Sequence, residues 1–407
     1  MHLPKGNLLV ACLISIAMAA NADTDQALYA VSQGTSQFSS SLFQAAVKEN
    51  SDNLVVSPVS IGIVLAMATY GARGETERQL KEALHIPTDS VGLSGYQALI
   101  DTLNGTMENE LDFPNKVFIN EKFSIKPSYQ ELMTNYFRST AQSVNFNDPN
   151  EAANAINTWI QENTKDRIKN VVGPSDFDGE TPLVLVNAAY FKGQWKQKFN
   201  PWMTERLTFH VNETAEKDVP TMHMKGTFNY GSIPHLNAKF IELPYKGDNF
   251  SMVIILPNEI SGLAEVEKEL QNTSVISILN QGSKQKVQLY LPKFKIESSI
   301  KLNNVLKNMG LTDMFAKHAN FSGISDEKLY VDKVLHKASM EVNEEGSEAA
   351  AATVVEFAAG SALVFNEEPV PYMRIDHPFI YSCIYKTENK EADVIQLFTG
   401  HVIDPES

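Results

Sequence analysis

Strict alternation over residues 347–357 is the feature that most limits how this chain can fold. In an extended strand, successive side chains point to opposite faces. One face carries Ser347, Ala349, Ala351, Thr353, Val355 and Phe357, and the other carries Glu348, Ala350, Ala352, Val354 and Glu356. Both charges fall on one side, so the first face can be buried in a sheet without trapping a charge. The small residues 358–362 that follow are typical of an exposed loop. The segment therefore resembles a strand that lies outside a sheet it could join.

The same segment also fits a helix or a flexible loop. Alanine has the highest helix propensity and serine is a favourable N-cap, so the alanines at 349–352 after Ser347 and Glu348 are compatible with a helix. Composition alone favours this alternative over a strand, and the decision between them depends on the rest of the chain.

The first 22 residues have the pattern of a secretory signal peptide. Lys5 precedes an apolar run from Leu8 to Ala20, and small residues surround a cleavage point after Ala22. The run is about 13 residues, shorter than the ~20 that a membrane-spanning helix needs. We therefore expect a signal peptide at 1–22 and a secreted, extracellular chain of residues 23–407.

Residues 23–407 have the features of a single domain. No Pro-rich or Gly/Ser-rich linker, charge block or internal repeat divides them. Removal of the signal peptide removes Cys12 and leaves Cys383 alone, so an internal disulfide cannot form. The fold must therefore be stabilised by its own core.

The formal net charge of −15 makes nucleic acids and anionic membranes unsuitable partners. In a secreted chain, Asn-x-Ser/Thr sequons are acceptors for N-glycosylation, and we expect about two or three to be used. The sequons lie at Asn104, Asn212, Asn249, Asn272 and Asn320.

Hydrophobic periodicity predicts helices first and strands afterwards. The predicted helices cover 38–47 after caps at Thr35 and Ser36, 58–70 after Ser57 with Gly71 at the end, 75–84, 152–168 and 300–309. The predicted strands cover 183–191, 240–245, 250–256, 287–294, 330–342, 379–385 and 394–401. This order predicts an α+β fold with mostly antiparallel strands.

Several longer motifs are similar to segments of the serpin family, in the family's order along the chain. They include Glu344-Glu345-Gly346-Ser347-Glu348 before the alanines, residues 53–61, Asn187-Ala188-Ala189-Tyr190-Phe191-Lys192-Gly193-Gln194-Trp195, residues 240–245, Leu335-His336-Lys337-Ala338, Asp376-His377-Pro378-Phe379 and Phe398-Thr399-Gly400. The resemblance covers essentially all of residues 23–407, and the chain is identified as similar to secreted invertebrate serpins.

This resemblance implies the serpin fold, with about nine helices around roughly three mostly antiparallel sheets. It implies an exposed reactive loop within 344–374 and a "shutter" where two central strands can part, formed by Asn187 and His336 above Ser57 and Ser60. Trp195 would mark the top of that sheet, the "breach", and Glu344 would pair with Lys293. The implied hinge residues are Glu344, Gly346, Ser347, Ala349, Ala350, Ala351 and Ala352. Without the resemblance, His336 and Trp195 would be interpreted as ordinary core residues.

The resemblance also implies a function as a suicide substrate of serine proteases, through a covalent one-to-one complex. The protease attacks the loop and forms an acyl-enzyme, and the cleaved loop then joins the main sheet, a known case of strand addition. Ser347, Ala349 and Ala351 are small and uncharged, as rapid insertion requires. We therefore expect an inhibitor; a non-inhibitory serpin (carrier, chaperone or storage protein) is the alternative.

The position of the reactive bond is less constrained. The family's usual spacing from Gly346 gives Gly360-Ser361, which suits an elastase-like enzyme with a small pocket. The loop is longer than is usual in the family, so Leu363 and Phe365 are alternatives that indicate a chymotrypsin-like target. No Lys or Arg lies between Lys337 and Arg374, which argues against a trypsin-like target.

The sequence predicts neither an enzyme nor a cofactor or metal site. It contains no Gly-x-Ser-x-Gly, His-Glu-x-x-His or Gly-x-Gly-x-x-Gly motif. Heparin-activated serpins carry basic residues on an early helix, whereas no Lys or Arg lies between Lys81 and Lys116. We therefore expect a monomer that heparin does not accelerate through that site.

Overall fold

The computed structural model describes the backbone of residues 5–105, 109–247, 249–347, 370–387 and 394–407, and the side chains from Asp23 onward. The α-helices in these ranges are α1 Lys5–Glu49, α2 Pro58–Gly71, α3 Gly74–Ala83, α4 Asp89–Asn104, α5 Pro127–Phe137, α6 Pro149–Asn163, α7 Leu263–Glu269, α8 Val275–Leu279 and α9 Asn303–Asn308. The strands are β1 Leu54–Val56, β2 Glu110–Asp112, β3 Asn115–Asn120, β4 Ala141–Val144, β5 Leu183–Lys192, β6 Glu205–His210, β7 Glu216–Ile233, β8 Ala238–Pro244, β9 Phe250–Pro257, β10 Ser283–Pro292, β11 Phe294–Lys301, β12 Val331–Val342, β13 Tyr372–Arg374, β14 Phe379–Lys386 and β15 Val394–Val402. The fold class predicted from the sequence, α+β, is confirmed.

The smaller of two hydrogen-bonded sheets contains the central strands of the predicted shutter. Its strand order is β11-β12-β5-β3-β4, and β2 pairs with the end of β5. The two middle strands, β12 and β5, run parallel, with His336 opposite Asn187. Residues 183–191 of β5 are all buried because one face of the sheet packs on the main core and the other packs under α6. This burial explains the continuous apolar run in the sequence.

The larger sheet has the order β1-β15-β14-β9-β8-β7-β10-β13, with β6 also paired to β7. Strand β7 is 18 residues long and pairs with β6 at its start, with β10 in its middle and with β8 at its end. Because β7 pairs with different strands along its length, the described strands form two hydrogen-bonded sheets, where the resemblance implies about three.

Helix α2 is the buried centre of the molecule. Ser57 is its N-cap, Pro58 its first residue, and every residue through Gly71 is buried. Gly71 ends the helix, as the sequence predicts, and it is needed for packing. A Cβ at this position would lie 2.3 Å from Cγ1 of Ile324.

The predicted start of the first helix is wrong. Thr35 and Ser36 lie inside α1, which already includes Lys5. The hydroxyl of Ser39 donates to the carbonyl of Thr35 at 2.7 Å, one turn back. Hydroxyls of this region therefore bond within a continuous helix, where serine and threonine can also be accommodated.

Two other predicted helix boundaries are also wrong. Helix α6 ends at Asn163, because Lys165 and Asp166 adopt left-handed backbone conformations, with φ of +48° and +64°. Ile300 belongs to β11, and α9 covers only Asn303–Asn308. The elements that the sequence pattern did not predict are α4, α5, α7, α8, β1–β4, β6, β7, β11 and β13.

Two glycines of α2 give a matched stability test. Gly71→Ala is expected to lower the free energy of unfolding by about 1–3 kcal/mol, because its Cβ overlaps Ile324. Gly62→Ala, in the same helix, would place its Cβ 3.8 Å from Phe38, an ordinary contact, and is expected to be neutral or stabilising by up to about 1 kcal/mol. Urea unfolding of both variants measures the difference. Equal stability of the two variants would contradict this account of Gly71.

Candidate functional site

Strand β12 ends at Val342 and leads into a hairpin with a two-residue loop. The N–H of Asn343 donates to the carbonyl of Gly346 at 2.9 Å, and the N–H of Gly346 donates back at 3.2 Å. Glu344 and Glu345 form the loop between them. Gly346 has a φ of +146°, and a Cβ there would lie 2.0 Å from the carbonyl oxygen of Gly193. Only glycine fits this position.

The hairpin reverses the chain and brings it against the end of β5. Gly346 forms an antiparallel bridge with Gln194, which continues β5. The N–H of Ser347 donates to the carbonyl of Gly193 at 2.7 Å, and the N–H of Trp195 donates to the carbonyl of Glu345 at 2.9 Å. The first residues of the predicted hinge thus already pair with the central sheet.

The side chain of Ser347 is completely buried in a small pocket. Its Oγ lies 2.7 Å from Oη of Tyr245 and 3.7 Å from Sδ of Met340, and Oη of Tyr245 lies 3.8 Å from Sγ of Cys383. Burial raises the pKa of Tyr245 far above its usual value and raises the pKa of the Cys383 thiol to about 12. All these groups are neutral at physiological pH, so the pocket suits a small, uncharged side chain.

Trp195 lies beside this pocket. Its ring stacks on Tyr245, with ring centroids 4.4 Å apart, and its Nε1–H donates to the carbonyl of Asn343 at 2.9 Å. Trp195 therefore connects the start of the hairpin to the pocket that receives Ser347.

Glu344 anchors the hairpin from the outside. Its carboxylate accepts from Nζ of Lys293 at 2.9 Å and from the hydroxyl of Thr204 at 2.7 Å. Burial raises the pKa of Glu344, but the hydrogen bonds from Lys293 and Thr204 outweigh this effect and lower the pKa overall. Its side chain is only 12% exposed, so solvent screens this pair less than a surface salt bridge.

His336 lies fully buried between β12 and β5. Its Nε2 accepts from the backbone N–H of Ser57 at 3.1 Å, and its Nδ1 bonds Oδ1 of Asn187. The neutral ring therefore carries its proton on Nδ1. Burial lowers the pKa of His336 to about 3. The Nδ2 of Asn187 has no hydrogen-bond partner among the described residues.

The two serines beneath the strands have different contacts. The hydroxyl of Ser57 donates to the carbonyl of Leu397 at 2.7 Å. That of Ser60 lies 3.4 Å from both the carbonyl of Ala188 on β5 and Oδ1 of Asn115 on β3. Ser57 and Ser60 therefore connect the start of α2 to β15 in the larger sheet and to β5 and β3 in the smaller sheet.

Tyr245, Met340 and Cys383 were not predicted as site residues, because only the fold brings them to Ser347. Gly193 carried a usable signal, since glycine directly after a buried strand often marks a close backbone approach. Gly193 accepts the bond from Ser347.

The remaining predicted loop residues lie outside the described residues. These are the hinge residues Ala349, Ala350, Ala351 and Ala352, the reactive bond Gly360-Ser361 and the alternatives Leu363 and Phe365. The described chain stops at Ser347 and resumes at Val370.

Four of the five predicted glycosylation sequons have an exposed asparagine. Asn249 is half-buried, and its Nδ2 lies 3.5 Å from Oη of Tyr385. The exposed positions are Asn104, Asn212, Asn272 and Asn320.

The sequence of this chain is similar to those of known serpins. The family described as "Serpin (serine protease inhibitor)" matches residues 33–405. The chain belongs to the serpin family. Human Serpin B3 is 35% identical over 396 residues, which cover 92% of this chain and 99% of that protein.

Solved structures show the same serpin fold. Serpin48, described as a highly specific serpin of the insect Tenebrio molitor, has a TM-score of 0.83 and 31% identity and covers 92% of this chain and 98% of its own. Human thyroxine-binding globulin in complex with thyroxine has a TM-score of 0.83 and 28% identity, covering 94% of this chain and 100% of its own. Within the described residues of this serpin, no helix is long and apolar enough to cross a membrane.

The buried histidine predicts a loss of stability in acid. An unfolded chain binds a proton at His336 as the pH falls below about 6.5, whereas the native chain does so only near pH 3. Native stability should therefore fall by about 1.4 kcal/mol per pH unit from this group alone. Protonated Nε2 would also face the N–H of Ser57, two donors in contact.

The variant His336→Gln removes this titration. Between pH 6.5 and 5, wild type is expected to lose about 2 kcal/mol more stability than the variant. His235→Gln, at an exposed position, is the control and should follow wild type. Urea unfolding at several pH values measures the difference, and parallel pH profiles for wild type and His336→Gln would contradict the prediction.

Proposed function

We propose that this serpin is a secreted inhibitor of serine proteases that acts as a suicide substrate. The protease cleaves the segment after Ser347 and becomes an acyl-enzyme; the freed segment then enters the sheet between β12 and β5 and carries the protease with it. The supporting observation is the hairpin at Glu344 and Glu345, which turns the chain back against the end of β5.

The direction set by the hairpin favours insertion. Strands β12 and β5 run parallel, and Gly346 already pairs antiparallel with Gln194. A segment that continues from Ser347 would lie antiparallel to both neighbours and would replace one parallel ladder with two antiparallel ones. Antiparallel pairing is slightly more stable per residue, so the exchange is favourable on both sides.

The alternation of side chains over residues 347–357 also fits insertion between β12 and β5. Ser347 points into the pocket below Tyr245 and is completely buried. Every second residue after it would face the same interior, and these residues begin with Ala349 and Ala351. The charged Glu348 would face the opposite side.

The energy and the reach are sufficient to damage a protease. An inserted strand of about 14 residues at ~3.4 Å each would carry the attached protease on the order of 50 Å. Roughly ten new ladder bonds at ~0.5–1.5 kcal/mol sum to about 10 kcal/mol. This equals the stability of a typical domain, ~5–15 kcal/mol.

The loop composition supports an elastase-like or chymotrypsin-like target. Gly360-Ser361 suits a small specificity pocket, and Leu363 or Phe365 suits a larger apolar one. Mass measurement of the C-terminal peptide released by each protease would identify the reactive bond.

The proposal includes secretion after removal of residues 1–22, glycosylation at the exposed sequons, and inhibition as a monomer without heparin, cofactor or metal. The acidic composition and the absence of Lys and Arg from 82–115 support independence from heparin. The proposed inhibitor is consumed by its reaction and does not turn over as an enzyme does.

The likeness to thyroxine-binding globulin supports a second candidate, a non-inhibitory ligand carrier. Incubation with chymotrypsin or elastase distinguishes a carrier from an inhibitor. A carrier is clipped without a covalent complex, whereas an inhibitor gives a band of higher mass on a denaturing gel.

Ser347→Arg tests the mechanism. Ser347 already occupies the pocket of Tyr245, Met340 and Cys383 in the intact protein, so Arg would either bury a guanidinium without a charged partner, at a cost of several kcal/mol, or displace the chain end from β5. In either case the inserting strand loses its first seated residue, so insertion should be slower than hydrolysis of the acyl-enzyme. The variant is expected to be cleaved by chymotrypsin or elastase with at least a roughly tenfold loss of covalent complex relative to wild type.

The matched control is Ser347→Ala, which stays small and should still form the complex. Cleaved wild type should also unfold at a higher temperature than intact protein, and cleaved Ser347→Arg should not. Covalent complex from Ser347→Arg at the wild-type level would rule out this role of the hinge pocket.

A further inference from the structure

Large apolar side chains are exposed at both ends of the segment 348–369. The described residues of this type are Tyr29, Trp202, Met203 and Tyr372. Trp202 is 93% exposed and Tyr372 is 51% exposed. Three of these four residues lie near the positions where the described chain leaves at Ser347 or returns at Val370.

The turn that carries Trp202 is held in a fixed position. Oδ1 of Asn200 accepts from the N–H of Trp202 at 3.0 Å, and the carbonyl of Asn200 accepts from the N–H of Met203 at 2.9 Å. These bonds form the short 3-10 turn Pro201–Met203. The indole is therefore displayed by a formed turn whose backbone is bonded at both central residues.

Both flanks of this turn are bonded to the hinge. The N–H of Phe199 donates to the carbonyl of Glu344 at 3.0 Å, and the hydroxyl of Thr204 donates to its carboxylate at 2.7 Å. Trp202 thus lies between two contacts to a residue only three positions before Ser347. Its location beside the base of the loop is set by the same residue that anchors the hairpin.

Tyr372 is exposed at the other end of segment 348–369, shortly after the described chain resumes at Val370. It begins β13, which pairs in parallel with β10, opposite Gln288. Its ring lies 5.2 Å from that of Tyr290, which stacks at 4.2 Å on His223. Tyr290 supports the Tyr372 ring, and 51% of Tyr372 is exposed with respect to the described residues.

The two ends are close enough for one partner to cover both. The turn leads directly into β6, and the strand order from β6 to β13 is β6-β7-β10-β13, three strand spacings or about 15 Å across the sheet. Glu205 is opposite Thr221 and Tyr372 is in line with Lys225, so the two ends are also offset by four residues, or about 14 Å, along the strands. The start of β6 therefore lies about 20 Å from Tyr372. A protease–inhibitor interface buries about 800 Å² on each partner, which corresponds to a patch roughly 30 Å across. A protease docked on the loop would therefore extend over this area.

We propose that Trp202 with Met203, at one end, and Tyr372, at the other, form an exosite for the target serine protease, outside its substrate cleft. This inference rests on the proposed function. Rigid, exposed tryptophan and tyrosine side chains give large apolar contacts at low entropic cost and are enriched among energetically dominant interface residues. Contact with the exosite would accelerate formation of the complex without affecting insertion.

The test compares rates of complex formation for Trp202→Ala and Tyr372→Ala with wild type, using whichever of chymotrypsin and elastase wild type inhibits faster. Trp202→Ala is expected to lower the second-order rate constant about 5- to 30-fold, and Tyr372→Ala by a smaller factor. Trp202→Phe should recover most of the rate, because it restores an aromatic apolar side chain. Tyr29→Ala, an exposed tyrosine on α1, is the control and should match wild type.

Two further readouts separate an exosite from a structural effect. The stoichiometry of inhibition and the rise in unfolding temperature after cleavage should be the same for Trp202→Ala and wild type. A changed stoichiometry would place Trp202 in the insertion step and overturn the exosite. The rate difference should also be insensitive to salt, since the contact is apolar.

The outcomes distinguish this inference from the proposed function. Absence of a covalent complex from wild type with either protease would overturn the proposed function and the exosite with it. A wild-type complex that Trp202→Ala forms equally fast would overturn the exosite alone.

Discussion

His336 connects three parts of the molecule through one imidazole ring. It lies on β12, bonds Asn187 on the neighbouring β5 and accepts from the N–H of Ser57 at the start of α2. The bond from Ser57 requires the neutral ring, because only an unprotonated Nε2 can accept it, and burial keeps the ring neutral at physiological pH. The contact between the two parallel strands therefore has a side-chain bond at its centre that can break without leaving a buried charge.

The hinge complements this junction. A hairpin closed by Asn343 and Gly346 directs the chain toward the line between β12 and β5, and Ser347 fills a neutral pocket at the upper end of that line. Glu344 fixes the same hairpin from outside through Lys293 and Thr204. A neutral junction between the strands and a chain end already directed toward it are two features that favour the proposed insertion of a new strand.

The sequence predicted those parts of the fold that depend on local pattern. The alternation of 330–342 and the apolar run of 183–191 predicted β12 and β5, because burial on one or both faces is recorded in the order of side chains. Helix α4 was not predicted, since its Gly92 and Gly95 interrupt the helical pattern. Gly95 is required by a neighbour, because a Cβ there would lie 2.4 Å from the carbonyl oxygen of Ala27 on α1.

The site was predictable only in part, because contacts between residues far apart in the sequence leave no local pattern. Resemblance named His336, Asn187, Trp195 and Ser347, and the structure places them along one strand junction. The pocket under Ser347 was not predictable, because Tyr245 lies 102 residues away in sequence. The direction in which the chain approaches β5 after Asn343 was also not predictable, since the hairpin depends on two backbone hydrogen bonds and a positive φ at Gly346.

The two-residue loop of this hairpin also sets which side chains a following strand would show to the interior. Side chains alternate with a period of two, so adding or removing one residue between Asn343 and Ser347 would exchange the two faces. In either case the face that carries Glu348 and Glu356 would point to the interior, and a removal would put Glu348 itself in the place of Ser347 under Tyr245. The length of the loop therefore matters as much as its composition, and a single-residue insertion there would be more damaging than most substitutions.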